Sequence, residues 1–133
     1  MLTDYEITRQ TKVRPITEIA ARLGVDPGDL LPYGDQVAKV HLNALTRPRN
    51  RTQKPRLILV SATTPTAAGE GKTTTSIGLA QALDGLGESV CLALREPSLG
   101  PCLGIKGGAT GGGYSQIVPV DRINLHFTVI FTR

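Results

Sequence analysis

The sequence has no tryptophan, and aromatic residues make up only 4% of it. Stacking platforms for single-stranded nucleic acid, which rely on exposed rings, are therefore poorly supplied. Cysteine is nearly absent. Cys91 and Cys102 are the two present, and they do not form a CxxC pair. A reduced cytoplasmic protein fits this better than a disulfide scaffold. No apolar run approaches the roughly 20 residues that a membrane-spanning helix needs. The opening stretch, MLTDYEITRQ, lacks the apolar centre of a secretory signal. Acidic residues are missing from 46–56, TRPRNRTQKPR, where Arg47, Arg49, Arg51, Lys54 and Arg56 stand unopposed. Such a run can bind nucleic acid or form a basic rim near an anionic ligand. Two prolines break it and no aromatic interleaves, which favours a solvated linker.

What is present is ordinary for a globular chain. The 133 residues are 40% hydrophobic and 20% charged, enough for one modest core. The net charge of +4 permits anionic partners without requiring them. Residues 16–23, ITEIAARL, place Ile16, Ile19, Ala20 and Leu23 at helical spacing, with Gly24 as a stop. Residues 35–45 place Val37, Val40, His41 and Ala44 on one face and suggest a second helix. His41 is then a helix-face residue rather than a catalytic one.

From residue 57 the pattern changes. LILVSA, residues 57–62, is a short continuous apolar run that suits a strand buried on both faces. TSIGLAQALDGLG follows with Ile77, Ala80 and Leu83 at helical spacing, and SVCLAL, residues 89–94, is a second buried-strand candidate. Strand, loop, helix and strand in this order are the length of a βαβ crossover. Long glycine-rich sequence then takes over, as in loops that are functional or disordered.

TAAGEGKTTT, residues 66–75, lies between the first of these strands and the helix. A phosphate-binding loop needs glycines so that the backbone can approach the phosphates and take positive φ. It needs amides and a helix N-terminus converging on the anion. A lysine then neutralises the outer phosphates, and a hydroxyl completes a Mg²⁺ shell. Gly69 and Gly71 supply the bend, Lys72 the charge and Thr73 the metal-facing hydroxyl. Glu70 is either a solvent-facing loop residue or a contributor to the site. The general pattern wants glycine five residues before Gly71, where Thr66 stands. The alternative is a flexible turn whose lysine faces water.

Two further constellations follow. REPSLGP, residues 95–101, falls at the carboxyl end of the second strand, where open parallel sheets bind ligands. Arg95 can fork onto a phosphate or carboxylate, or the stretch is surface charge on a rigid turn. GIKGGATGGG, residues 104–113, has six glycines and Lys106. It makes either an anion nest or a mobile lid or disordered segment. Tyr114 stacks on a ligand or anchors a loop, and His126 packs or hydrogen-bonds rather than acting as a base.

Together TPTAAGEGKTTT, LREPSLGPCLGIKGGATGGGYSQ and INLHFT, in that order, resemble the amino-terminal part of the formate–tetrahydrofolate ligase family. PITEIAARLGV and PYGD add to the likeness, which runs from about residue 13 to 128. The family's phosphate loop tolerates a non-glycine first residue, so Thr66 becomes a family trait. The resemblance implies an ATP-dependent ligase of one-carbon metabolism, cytoplasmic, with ATP, Mg²⁺, formate and tetrahydrofolate as its small-molecule partners. Full-length members are expected to be homo-oligomers, with neither membrane nor nucleic acid as partner. By matched position Thr66, Ala67, Ala68, Gly69, Glu70, Gly71, Lys72 and Thr73 form the ATP phosphate loop, with Thr73 toward the metal. Lys72 and Arg95 are the expected catalytic residues, Lys72 on the transferring phosphoryl group and Arg95 on a formyl phosphate intermediate.

The expected fold class is α/β, a P-loop NTPase-like parallel sheet with flanking helices, here an incomplete fragment of a larger domain. Residues 1–56 form an N-terminal helical segment and basic linker, and residues 57–133 a truncated nucleotide-binding βαβ segment with its glycine-rich loop. Family members are several times longer, and VIFTR, residues 129–133, diverges from their continuation. A truncated or frame-shifted product is therefore expected. The alternative function is a P-loop ATPase switch or partner-binding module. That class wants an aspartate at the end of the second strand, where this sequence reads LREPS.

Overall fold

The computed structural model describes residues 2–47, 54–64, 69–94, 110–119 and 122–123. Its elements in chain order are helix α1 (Asp4–Gln10), helix α2 (Ile16–Arg22), strand β1 (Leu30–Pro32), strand β2 (Ala38–Val40), helix α3 (Lys72–Gly85), strand β3 (Gly111–Gly112) and strand β4 (Ser115–Gln116). Short 3₁₀ turns at Pro27–Asp29 and Leu42–Leu45 flank the first hairpin. The chain is thus a mixture of helix and strand. It divides into two compact units, one of Arg14–Val60 and one of Met1–Val13 with Ser61–Arg133.

The Arg14–Val60 unit starts with α2, which forms where helical periodicity predicts it. Its first amide, Ile16 N–H, donates to the Asp35 carbonyl at 2.8 Å. Its end is a Schellman motif at Gly24, which takes φ 69°. Gly24 N–H donates to Ala21 O at 3.0 Å and Val25 N–H to Ala20 O at 2.9 Å. Ala20 is buried. Asp26 then caps the following 3₁₀ turn by accepting from Gly28 N–H at 2.8 Å.

The helix expected over 35–45 does not form. Residues 38–40 pair with β1 as an antiparallel hairpin, Leu30 against Val40, Leu31 against Lys39 and Pro32 against Ala38. Tyr33 N–H extends the pairing by donating to Val37 O at 2.8 Å. Gly34, with φ 70°, reverses the chain within PYGD. A helix from residue 35 would need the Asp35 carbonyl for Lys39 N–H, but that carbonyl already serves the start of α2. Tertiary pairing here overrides a spacing that fitted a helix equally well. His41 consequently leads into the Leu42–Leu45 turn and is exposed.

The second unit is built on α1, α3 and the β3–β4 hairpin. Helix α1 starts with a capping box between Thr3 and Glu6. Helix α3 ends at a second Schellman motif, with Gly87 N–H on Asp84 O at 3.0 Å and Glu88 N–H on Leu83 O at 3.0 Å. The hairpin lies against α3 at its closest possible range. A Cβ on Gly111, at φ 80°, would meet the Ser115 carbonyl oxygen at 2.0 Å and Ile77 Cδ1 at 2.7 Å. Only glycine fits there, and Ile77 is 3% exposed as a result. Asp4 fastens the hairpin to α1: its Oδ1 accepts from Gly113 N–H at 2.8 Å, and its carbonyl from Gln116 Nε2 at 3.0 Å. Thr8 Oγ1 adds a hydrogen bond to Gln116 Oε1 at 3.1 Å.

The two expected parallel strands are not strands among the described residues. Leu57, Ile58 and Leu59 are 93%, 58% and 83% exposed. Residues 90–94 alternate half-buried Val90, Leu92 and Leu94 with exposed Cys91 and Ala93. The pairing that the described residues do show is antiparallel and local. A parallel strand gains its hydrogen bonds from distant neighbours and its burial from helices on both faces. Local hairpins and helices close their own hydrogen bonds and need neither.

Candidate functional site

The chain reaches α3 through Gly69, Glu70 and Gly71. Gly69 takes φ 85° and Gly71 φ 68° with ψ 16°, the left-handed conformation. A Cβ on Gly71 would meet nothing within 4 Å among the described residues. Glycine is needed there for the backbone bend rather than for want of space. Gly71 is the N-cap of α3 and brings no side chain to it. The first intrahelical bond runs from Thr75 N–H to Gly71 O at 2.9 Å. The amides of Lys72, Thr73 and Thr74 therefore have no acceptor within the helix. They face the loop with the positive end of the helix dipole behind them.

Lys72 is the first residue of α3, and its Nζ donates to Glu70 Oε2. The lysine side chain is 44% exposed and the glutamate 20%. Thr73 is half-buried in the same first turn. Ser76 Oγ donates to the Lys72 carbonyl at 2.8 Å, tightening that turn. Five of the expected loop residues, Gly69 to Thr73, thus come together at one helix start. Thr66, Ala67, Ala68 and Arg95 lie outside the described residues, as do Lys106, Cys102 and His126. Tyr114 is 76% exposed, and its carbonyl accepts from Gln81 Nε2 at 2.8 Å. It thereby ties the hairpin to α3. Among the described residues no three His, Cys, Asp or Glu side chains gather as metal ligands.

Some residues that hold each unit together were not assigned that role from the sequence. Arg47, grouped there with a solvated run, forks across two carboxylates, Nε to Asp29 Oδ2 at 2.8 Å and Nη1 to Asp26 Oδ2 at 3.2 Å. Asp26 and Asp29 three apart beside Pro27 would have hinted at such a partner. Asp4 and Thr8, which hold the glycine hairpin, stand on a helix whose T-x-x-E start is visible at Thr3 and Glu6.

The profile of the family described as formate–tetrahydrofolate ligase matches residues 2–132. The chain belongs to the formate–tetrahydrofolate ligase family. A formate–tetrahydrofolate ligase of Hyphomonas neptunium is 60% identical over 131 residues, 96% of this chain and 23% of the relative. That of Zymomonas mobilis is 54% identical over 132 residues, with the same two shares. That of Campylobacter concisus is 57% identical over 128 residues, 96% of this chain and 22% of the relative. The chain therefore spans about a quarter of the length of the curated ligases it matches. Its loop of Gly69 to Thr73 stands within the stretch that the ligase family profile matches.

Proposed function

We propose that the chain is the amino-terminal, nucleotide-binding part of an ATP-dependent formate–tetrahydrofolate ligase. The observation that carries this is the uncapped start of α3. A left-handed Gly71 leads directly into Lys72, in a chain whose relatives are ligases of that name. Amides, dipole and ammonium converge there as a polyphosphate requires.

In this function formate attacks the γ-phosphorus of ATP and gives formyl phosphate and ADP. The N10 amine of tetrahydrofolate then attacks the formyl carbon and expels phosphate, leaving 10-formyltetrahydrofolate. The loop from Thr66 to Thr73 holds the phosphates, and Lys72 Nζ offsets charge on the phosphoryl group as it moves. Such a transfer asks of the protein position and electrostatics rather than covalent chemistry. Arg95 holds the formyl phosphate by a forked pair of donors. Thr73 would hold magnesium through its single hydroxyl, fitting an ion that keeps most of its waters and takes few protein oxygens, and the ion would supply positive charge to the phosphates. In this function residues 57–62 and 89–94 would take the central strand places of a P-loop parallel sheet, which they do not occupy in the described chain, with residues 1–56, two short helices and the β1–β2 hairpin among them, leading into it.

The test is calorimetric titration of the chain with magnesium ADP. Binding is expected for the parent chain, and Lys72→Met should weaken it about tenfold or more, the cost of one charge-assisted phosphate contact. Absence of binding by a parent chain with its native circular dichroism spectrum would overturn the proposal.

A further inference from the structure

The lysine of the loop is already engaged. Lys72 Nζ donates to Glu70 Oε2, and Glu70 is the less exposed of the two, at 20% against 44%. The two residues flank Gly71, whose left-handed turn at φ 68° lets the side chains on either side of it meet. Glu70 thus sets a carboxylate oxygen against the ammonium that a phosphate oxygen would otherwise occupy.

From this geometry we propose that Glu70 is an internal competing anion that reserves Lys72 for polyphosphate ligands. This deepens the phosphate-loop function given above and rests on it. A ligand must displace the carboxylate from Lys72 and tolerate it nearby. A single phosphate group brings between one and two charges and reaches only part of the loop, so it gains little over the carboxylate that it must displace. A nucleoside diphosphate brings several charges and also reaches the amides of Lys72, Thr73 and Thr74, which have no acceptor within the helix. The glutamate therefore excludes small anions such as inorganic phosphate at a modest cost in nucleotide affinity. Because both side chains are partly exposed, the competition is that of a partly screened ion pair.

The experiment titrates magnesium ADP and, separately, inorganic phosphate into the parent chain, Glu70→Gln, Lys72→Met and the double variant. Glu70→Gln is expected to bind magnesium ADP about three- to tenfold more tightly, the range of an exposed ion pair plus relief of like-charge repulsion. Inorganic phosphate, undetectable on the parent chain, should become measurable on Glu70→Gln. Both gains should shrink clearly when Lys72 is already methionine, leaving only the relief of like-charge repulsion between Glu70 and the ligand. Glu70→Ala, which must show the same direction, guards against an effect peculiar to the amide, and circular dichroism checks each fold. Magnesium ADP binding by the parent chain with no gain in Glu70→Gln would overturn the role of Glu70 and leave the phosphate loop standing. A gain over Lys72→Met in the double variant as large as the gain of Glu70→Gln over the parent would overturn it too. No binding of magnesium ADP by any variant would overturn both.

Discussion

Asp29 is 3% exposed, and its carboxylate lies 2.8 Å from Arg47 Nε. A carboxylate so placed has lost most of its water and recovers that energy from a charged donor. Arg47 itself is half exposed, so its side of the pair is cheap to hydrate. Removing the arginine is consequently worse than its own exposure suggests, because Asp29 is left buried with its charge. We expect Arg47→Ala to lower the stability of the Arg14–Val60 unit by about 1–3 kcal/mol, read from the urea midpoint. Asp26→Asn removes the longer and more exposed contact, 3.2 Å with Asp26 52% exposed, and should cost under about 0.5 kcal/mol. Equal losses from both would mean that the buried carboxylate is not the seat of the effect. The same pair bears on the basic run. One of its cations serves the fold, so a loss of nucleic-acid binding in an Arg47 variant would have to be separated from unfolding.

Helix α1 has only seven residues and depends on its cap. Glu6 Oε2 accepts from Thr3 N–H at 2.7 Å and from Thr3 Oγ1 at 2.9 Å. The backbone hydrogen bond from Thr3 first, and its hydroxyl second, hold the Glu6 carboxyl below the ordinary glutamate value. The folded state therefore prefers the ionised form, and the contribution is fully present above the unfolded value. It is lost as the pH falls from that ordinary range through the lowered one. Acidification should fray α1 before the rest of its unit, seen as faster amide exchange at Ile7 and Thr11. Glu6→Gln should flatten that acid step. An identical step in the variant would place its cause elsewhere. The sequence made α2 and α3 readable because each carries its own signals: helical spacing, then a glycine that ends it at Gly24 or Gly87. It also displayed the T-x-x-E of α1, but a single turn of apolar spacing gave no face to notice. The hairpin at 30–40 was hidden because Val37, Val40 and Ala44 satisfy a helical period as well. What decided the matter was the Asp35 carbonyl, a partner more than ten residues away from Ile16. The bend, cap and charge at Gly69 to Thr73, five of the eight residues proposed as a phosphate loop, were legible for a local reason: they are consecutive residues. Gly111 was visible only as one glycine among many. Its necessity lies in the approach of Ile77 and the Ser115 carbonyl, which no spacing encodes.

The buried hydrophobic residues of the described chain, Ile7, Ala20, Ala44 and Ile77, are few and small in total. Leu57, Ile58 and Leu59 stand outside them, with Leu42, Leu45 and Leu86 each more than three-quarters exposed. Exposed apolar surface of this kind is a liability in water, because burying it against any other apolar surface is favourable. The run at 57–60 is the sharpest case, being uncharged, rich in strand-forming side chains and without a ladder partner among the described residues. It is also the segment proposed as the central strand of the sheet, so its exposure and its function have one cause: a surface that only neighbouring strands and helices can satisfy. The chain should accordingly self-associate as its concentration rises, with scattering that grows while the helical signal is kept. Leu57→Lys with Leu59→Lys should delay that association to clearly higher concentration and leave α3 intact by circular dichroism. An unchanged onset in the double variant would show that association is driven from another face, and Leu42 and Leu45 would be the next residues to charge.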